Sequence, residues 1–358
     1  MDNENLGSAK YRNYMEQRRI LITGGAGFIG SNLANHFINK GDDVLVFDNY
    51  YRRGVQHNVK WLRERHGAGF RLIKGDVRDY KAISSAISGA HIILHVAGQT
   101  AVTTSVNNPR EDFEINALGT LNILEAARTA GDDPVIIFTS TNKVYGKMTD
   151  IPVVEKEKRY QYELNTDGIG ESQPLDFHSP YGCSKGTADQ YVHDYSRIYG
   201  MKTIVFRMGS IFGPHQFGLE DQAWIAYFVI AAARGWPITI YGDGKQVRDV
   251  LFIKDLVQAF EQAIEQVEVT AGEIYNIGGG KINTIAIWTE FAPLLSNLLG
   301  KRVQADEFGD WRPGDQKVYF SDIRKALKDF DWKPETSVEQ GIQKLVEWVV
   351  DNQDIFEK

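Results

Sequence analysis

Tyr181 and Lys185 stand four residues apart in "SPYGCSKGTADQY", Ser179 to Tyr191, just after a proline and at the start of a helical pattern. Residues i and i+4 share one face of a helix. A phenol beside an ammonium loses its proton more readily, because a nearby positive charge favours the phenolate. Such a pair can take a proton from a hydroxyl. It can equally be an ordinary surface pair. The same spacing recurs at Tyr241 and Lys245 in "YGDGKQ", where two glycines argue for a turn. Two further groups of residues supply context. "FTSTNKVYG" ends an apolar run on the hydroxyls of Ser140 and Thr141, which can meet both a cofactor and a substrate. A threonine hydroxyl can donate to a sugar oxygen and help shuttle its proton; satisfying a strand end is the plainer alternative.

The second group is Gly24, Gly27 and Gly30 in "RILITGGAGFIGSN", followed by "DVLVFD" ending in Asp48. A glycine triplet that follows a strand, opens a helix and has an acid at the end of the next strand meets the context tests for a dinucleotide fingerprint. Gly24 permits a tight turn, Gly27 lets backbone amides approach a pyrophosphate, and Gly30 allows close helix–strand packing. The helix N-terminus adds partial positive charge. Asp48 would bond a ribose hydroxyl and repel a 2′-phosphate, favouring NAD over NADP; Arg52 and Arg53 close behind weaken that preference. Asp76, in "KGD", suits the adenine end or a helix N-cap.

These residues need a scaffold. The 358 residues are 42% hydrophobic and 24% charged, an ordinary globular balance. The net charge of −7 argues against a general nucleic-acid or anionic-membrane binder. The single cysteine, Cys183, allows no intramolecular disulfide framework. No apolar run reaches membrane-spanning length, and "MDNENLGSAKYRNYMEQRR" lacks the apolar core of a signal peptide. The cytoplasm is the expected compartment. Continuous apolar strands alternate with helices from Ile20 to about Ser210, which means a parallel sheet covered on both faces. "DFEINALGTLNILEAARTAG" is read as one long helix, and "TIAIWTEFAPLLSNLLG" as another further on. Lys147 to His178 reads as a long irregular piece, a length uncommon in loops that are neither functional nor disordered. The expected fold is α/β: a Rossmann-like doubly wound sheet with a smaller, mixed C-terminal substrate-binding region. The expected division is an arm over 1–18, a cofactor domain over 19–210 and a substrate region over 211–358, with 247–277 returning to the cofactor domain.

"GGAGFIG", "HVAGQT", "STNKVYG", "SPYGCSK" and "GDGKQVRDVLFIKD" together resemble the extended short-chain dehydrogenase/reductase family, whose members act on nucleotide sugars with bound NAD. The similarity runs from about Ile20 to Val350. Within the family, "AGQTAVTTSVNNPREDFEIN", "LDFHSPYGCSKGTADQY" and "GKQVRDVL" look most like the 2-epimerases of CDP-dideoxyhexoses. On matching positions the resemblance implies Thr141, Tyr181 and Lys185 as the catalytic set. It implies a cofactor site of Gly24, Gly27, Phe28, Ile29, Gly30, Asp48, Asn49, Asp76, Val77, Ala97, Gln99, Asn116, Ser140 and Met208, with Tyr181 and Lys185. It implies a diphosphate grip by Arg248 and Arg312, with Ser210, Gln216, Gln246 and Asp315 toward the substrate. Tyr160 and Tyr162 are candidates to cover the base, and His178 to reach the sugar. A homodimer or homotetramer through helices Asp112 to Ala130 and Tyr181 to Tyr199 is implied too.

Two departures shape the reading. Related 4,6-dehydratases carry an Asp-Glu pair after the threonine, and related decarboxylases a glutamate at the second place. Asn142 and Lys143 supply no carboxylate there. The wording around Met208 and Gly209 also departs from the 2-epimerases. The expected activity is NAD-dependent nucleotide-sugar epimerisation at carbon 2; a UDP-hexose 4-epimerase and a non-catalytic NAD-binding sensor or scaffold are the alternatives. His91 and His95, four apart on a strand, do not place two metal ligands together, and no metal is expected.

Overall fold

Apolar runs buried on both faces become central parallel strands, and here they make one sheet. The computed structural model describes residues 17–312 and 314–356; of the expected arm, residues 1–16 lie outside the described residues. β1 (Arg19–Thr23), β2 (Asp43–Asp48), β3 (Arg71–Lys74), β4 (Ile92–His95) and β5 (Val135–Thr141) are joined by strands Thr203–Met208 and Ile274–Ile277. The spatial order is Ile274–Ile277, Thr203–Met208, β5, β4, β1, β2, β3, every pair parallel. The chain runs outward from β1 through β2 to β3, then returns to β4 on the other side. That reversal opens a crevice at the carboxyl ends of β1 and β4, where such sheets bind ligands.

Helix Phe28–Asn39 fills one face of the sheet through Leu33, Ala34 and Phe37. Helices Gly119–Ala130 and Ser179–Tyr199 cover the other, with Ile123, Leu124, Ala188 and Val192 against β4 and β5. Beyond the sheet, Val247–Phe252 is the hub of a small mixed sheet. It pairs antiparallel with Thr284–Ala286 and parallel with Val318–Tyr319 and Ser210–Phe212. The fold is therefore a Rossmann-like doubly wound sheet with a smaller mixed α/β region. Helix Ile253–Glu265 and strand Ile274–Ile277 lie on and in the large sheet, whereas Val247–Phe252 belongs to the small one.

Three segments differ from their sequence patterns. The long helix is divided into Pro109–Phe113, a wider π turn over Glu114–Leu118, and Gly119–Ala130. Such bulges mark places where a side chain is re-aimed, and Asn116 sits inside this one. "TIAIWTEFAPLLSNLLG" splits into strand Thr284–Ala286 and helix Phe291–Leu299. Ile285 is buried against the hub strand, and Glu290 accepts from the Ala286 amide (2.8 Å), which closes the turn. The stretch expected to be irregular carries a hairpin, Val153–Glu155 with Tyr160–Tyr162. Its Tyr160, Tyr162 and the later Ile169 form a separate apolar core with Val144, Tyr145 and Tyr319. Tertiary burial, not local pattern, orders it.

Candidate active site

The glycine turn closes as its spacing requires. Gly24 has φ +66°, and a Cβ there would lie 2.8 Å from the Ala97 backbone. A Cβ on Gly30 would lie 2.2 Å from the Gly24 carbonyl oxygen, so helix and strand meet there without a side chain between them. Around Gly27 only the Gly24 carbonyl comes near, at 3.2 Å. Gly27 is the N-cap of helix Phe28–Asn39, and no side chain caps it. Half-buried Phe28 and Ile29 form the first turn. An uncapped twelve-residue helix with only the Gly24 carbonyl near its N-cap has the donors and the dipole for an anion such as a pyrophosphate.

Asp48 is buried and accepts from the amides of Ala26 (3.1 Å) and Tyr50 (2.8 Å). Burial pushes its pKa up, and those amides oppose the shift. Asn49 donates to Asp76 (2.9 Å), which also pairs with Arg78 at 2.8 Å. The Arg78 guanidinium holds the Asp76 carboxyl down to about 2. The helix N-cap is Asp79, not Asp76. Arg52 bonds Thr100 (2.9 Å), the Gly98 carbonyl (3.4 Å) and Gln222. Val77 is buried against Gly119.

At the end of β5 the two hydroxyls part, because successive residues of a strand face opposite sides. Ser140 donates to Asp189 (2.6 Å), inside the buried ion pair of Asp189 with Arg207. The Ser140 hydroxyl proton is thus committed to Asp189. Thr141 faces the other way and accepts from the Lys143 amide (3.3 Å), starting the short 3-10 turn Asn142–Tyr145. Helix Ser179–Tyr199, with Pro180 in its first turn, brings Tyr181 to the Thr141 hydroxyl and Lys185 to the Thr139 carbonyl. Both are buried, Tyr181 at 7% and Lys185 at 4% exposure, so the pair is no surface pair.

Their electrostatics differ from the simple expectation. Burial pushes Tyr181 up to about 12, against the lowering effects of a Thr141 hydrogen bond and of Arg52. Burial also pushes Lys185 down to about 7, although Asp189 and Asp112 favour its charge. Lys185 Nζ donates to the Thr139 carbonyl (2.6 Å) and lies 4.1 Å from the Phe138 ring centre. In the protein by itself, then, burial sets the shift of both groups, and Lys185 is not among the groups that lower Tyr181.

Asn116 ties the neighbouring loop in place. Its Oδ1 accepts from the Gln99 amide (2.9 Å), and its Nδ2 donates to Ser184 (3.0 Å) and Asp112 (3.2 Å). Gln99 Nε2 donates to the same Asp112 oxygen (2.9 Å). His95 engages both ring nitrogens with Thr23 (2.8 Å) and Thr120 (3.0 Å).

On the substrate side, Arg248 is buried and pairs with Asp315 at 2.6 Å. Lys143 stands 3.6 Å from the same Asp315 oxygen. Arg312 donates to the Glu220 carbonyl (2.8 Å) and covers the Tyr241 ring at 4.1 Å. His178 packs beside Gly314, next to this cluster. Met208 stands opposite Thr141 and Ser210 opposite Val250 in their strand pairs. Gln246 is fully buried and donates to the Tyr241 carbonyl (2.7 Å), and Gln216 is buried and donates to the Ile211 carbonyl (3.1 Å); the carboxamide oxygen of each has no protein partner. Tyr160 donates to Asp243 (2.7 Å) and Tyr162 to the Val318 carbonyl (3.1 Å), both from the hairpin core, so neither lies free to cover a base. Gly209 has a packing reason: a Cβ would meet the buried Asp249 carboxylate at 2.7 Å. Sequence reasoning missed Asp112 as a neighbour of the site, and it read Lys143 only as a missing carboxylate and Arg52 only through the ribose; their contacts with Asp315, and with Thr100 and Gln222, are tertiary.

The family model described as GDP-mannose 4,6 dehydratase matches residues 21–345. The chain belongs to this family, in agreement with the resemblance to extended short-chain dehydrogenases/reductases. More particularly, it is 42% identical to the CDP-paratose 2-epimerase of Salmonella typhi over 92% of this chain and 98% of that protein. Among solved structures it resembles the dTDP-glucose 4,6-dehydratase of Streptomyces venezuelae with NAD bound (TM-score 0.81, 27% identity, 95% and 99% of the two chains). It also resembles the UDP-glucose 4-epimerase of Thermotoga maritima with UDP-glucose (TM-score 0.80, 28% identity, 94% and 99%).

Proposed function

We propose that this protein is an NAD-dependent nucleotide-sugar epimerase that interconverts CDP-paratose and CDP-tyvelose at carbon 2. The observation that carries this reading is an intact Thr141–Tyr181–Lys185 set followed by Asn142 and Lys143, in a chain 42% identical to a CDP-paratose 2-epimerase. Without carboxylates at those two places, the elimination of water has no acid/base pair, and reversible redox at one carbon remains.

The roles we propose rest on the resemblance together with the geometry. The turn at Gly24, Gly27 and Gly30 and the amides of the first helical turn take the pyrophosphate. Asp48 and Asn49 take the adenosine ribose, with Asp76 and Val77 on the adenine side. Ala97, Gln99, Asn116 and Met208 wall the nicotinamide end. Bound NAD supplies a hydride acceptor that is restored in each cycle. Thr141 orients the sugar hydroxyl, and Tyr181 takes its proton as the carbon is oxidised to a ketone. Lys185 holds a ribose hydroxyl and supplies positive charge beside Tyr181. The keto sugar then presents its other face, and Tyr181 returns the proton. Arg248 and Arg312 hold the diphosphate, with Ser210 and Asp315 beside them.

The division of labour is a cofactor domain over 19–210 and a mainly substrate-binding region over 211–358. Among the described residues no helix is long and apolar enough to cross a membrane, and the proposed compartment is the cytoplasm. A homodimer or homotetramer is proposed through the two long helices, whose outer faces expose Leu118, Tyr191, Ile198 and Tyr199.

Two experiments check this. Protein denatured after purification should release NAD or NADH, and the refilled site should prefer NAD because Asp48 repels a 2′-phosphate; recovery of NADP alone would overturn that assignment. Epimerisation of CDP-paratose run in heavy water should keep the substrate's own hydrogen at carbon 2, read by NMR and mass spectrometry. Deuterium at carbon 2 would exclude hydride return. Inversion at carbon 4 of a UDP-hexose, with carbon 2 of the CDP-sugar untouched, would favour the 4-epimerase reading.

A further inference from the structure

Lys143 occupies the place where related dehydratases and decarboxylases carry glutamate, and a cation there needs a physical account. The side chain is three-quarters buried and its ammonium sits 3.6 Å from Asp315 Oδ1. Asp315 already pairs with Arg248 at 2.6 Å. Burial, Arg248 and Arg312 all push the Lys143 pKa down, and Asp315 alone among its named neighbours pulls it up. Two cations thus share one carboxylate, with the Arg312 guanidinium close enough to act on Lys143, and positive charge is in excess in a partly buried place. Excess buried charge of one sign is costly unless an opposite charge arrives to pair with it. A diphosphate is an anion of that size and charge, and cations of both kinds bind it, arginine as a planar fork and lysine as a movable point charge.

The position of Lys143 along the chain says which phosphate it meets. Its amide donates to Thr141 Oγ1 (3.3 Å), so the ammonium and the Thr141 hydroxyl project from one short turn, Asn142–Tyr145 with Thr141 as its N-cap. Arg248 comes from the hub strand Val247–Phe252, and Arg312 lies over Tyr241, toward the Glu220 loop. With the reacting carbon of a sugar at Thr141 and Tyr181, the phosphate attached to that sugar lies on the Thr141 side of the cluster. The geometry points to Lys143 as the ligand of the sugar-linked, β-phosphate of the nucleotide sugar, a third diphosphate contact beside Arg248 and Arg312. This rests on the nucleotide-sugar reading above. It also gives the cation a purpose in epimerisation. The ketone must show both faces to the same hydride donor, and a tethered β-phosphate lets the ring turn over without leaving.

The test compares CDP with CMP, which lacks the β-phosphate, by calorimetric titration of the NAD-loaded protein. Wild type should bind CDP more tightly than CMP. Lys143→Met should weaken CDP binding about tenfold or more, the scale of one charge-assisted contact, and leave CMP binding within about twofold. Lys143→Arg should restore most of the CDP preference. Unchanged NAD content and circular dichroism exclude a folding defect. Equal losses for CDP and CMP, or no loss for either, would overturn the assignment. Should the base be other than cytosine, wild type will favour UDP, GDP or dTDP, and the same comparison is made with that diphosphate and its monophosphate. In that case the cytidine reading fails while the Lys143 result stands by itself. A wild-type chain that binds none of the four diphosphates overturns both. A second readout follows from the tether. With Lys143→Met, escape of the oxidised sugar should leave its two electrons on the enzyme as bound NADH, seen as 340 nm absorbance that builds up over turnover and is small in wild type.

Discussion

Tyr181→Phe should lower turnover by about a thousandfold, within the range general acid–base catalysis contributes, while NAD content stays that of wild type. The substitution keeps the ring, which packs where only 7% of the residue is exposed, and removes the hydroxyl alone. The buried phenol has its pKa pushed up to about 12, so the protein by itself holds it protonated at neutral pH. A positive charge placed beside it lowers that value. The oxidised cofactor carries such a charge on its nicotinamide ring and the reduced one does not. At pH 10, therefore, wild type with NAD⁺ should gain the 295 nm absorbance of one phenolate relative to Tyr181→Phe with NAD⁺. The same comparison with NADH, or without cofactor, should give none. The sign for Lys185 is opposite in form: its folded pKa, about 7, lies below the ordinary lysine value. Between pH 7 and that ordinary value the unfolded chain holds the extra proton, so this group's contribution to stability rises with pH across the window. Near wild-type turnover in Tyr181→Phe, or a phenolate signal independent of the cofactor's charge, would remove Tyr181 from its role as base.

What the sequence made legible was whatever local spacing controls. The glycine turn is legible because Gly24 and Gly30 are sterically forced: a Cβ at either collides with backbone. β1, β2, β4 and β5 are legible because burial on both faces demands continuous apolar runs. The Tyr181–Lys185 pair is legible as a helical i, i+4 face, but its electrostatics are not, since desolvation depends on what lies above and below the helix. Ser140 and Thr141 are adjacent in sequence and read alike; only strand alternation, with Asp189 on one side and Tyr181 on the other, separates them. Tyr162 looked like a polar residue available to a ligand, yet its hydroxyl donates to the Val318 carbonyl inside the hairpin core. Lys143 read as the mere absence of a carboxylate. Its meeting with Asp315, 172 positions away in the chain by number, required the folded small sheet.

The same buried side of β5 carries the largest stability effect expected in the molecule. Asp189 and Arg207 are both buried, at 0% and 3% side-chain exposure. Arg207 Nε and Nη2 donate to the two carboxylate oxygens at 2.9 and 2.8 Å, a bidentate pair. Ser140 and Gln190 donate to the same carboxylate at 2.6 and 2.9 Å. The other guanidinium nitrogen donates to Tyr145 Oη at 3.2 Å, and Tyr145 in turn donates to Asn276 at 2.7 Å. One ion pair therefore joins the Tyr181 helix, the end of β5 beside Thr141, the 3-10 turn that carries Lys143, and the edge strand of the large sheet. Asp189→Ala leaves the arginine charged and unpaired in the interior, which costs about 3–5 kcal/mol. Urea denaturation should place the loss in that range, seen as a lower midpoint at nearly unchanged slope. Replacing both partners by apolar residues, Asp189→Leu with Arg207→Met, should recover much of it, because no orphaned charge remains. Turnover should stay low in the double variant even so: Ser140 loses its acceptor and the turn after Thr141 loses the Tyr145 contact that fixes it. A single variant within about 1 kcal/mol of wild type would show that the pair is solvated or readily replaced. A double variant with full stability and full turnover would show that it positions nothing.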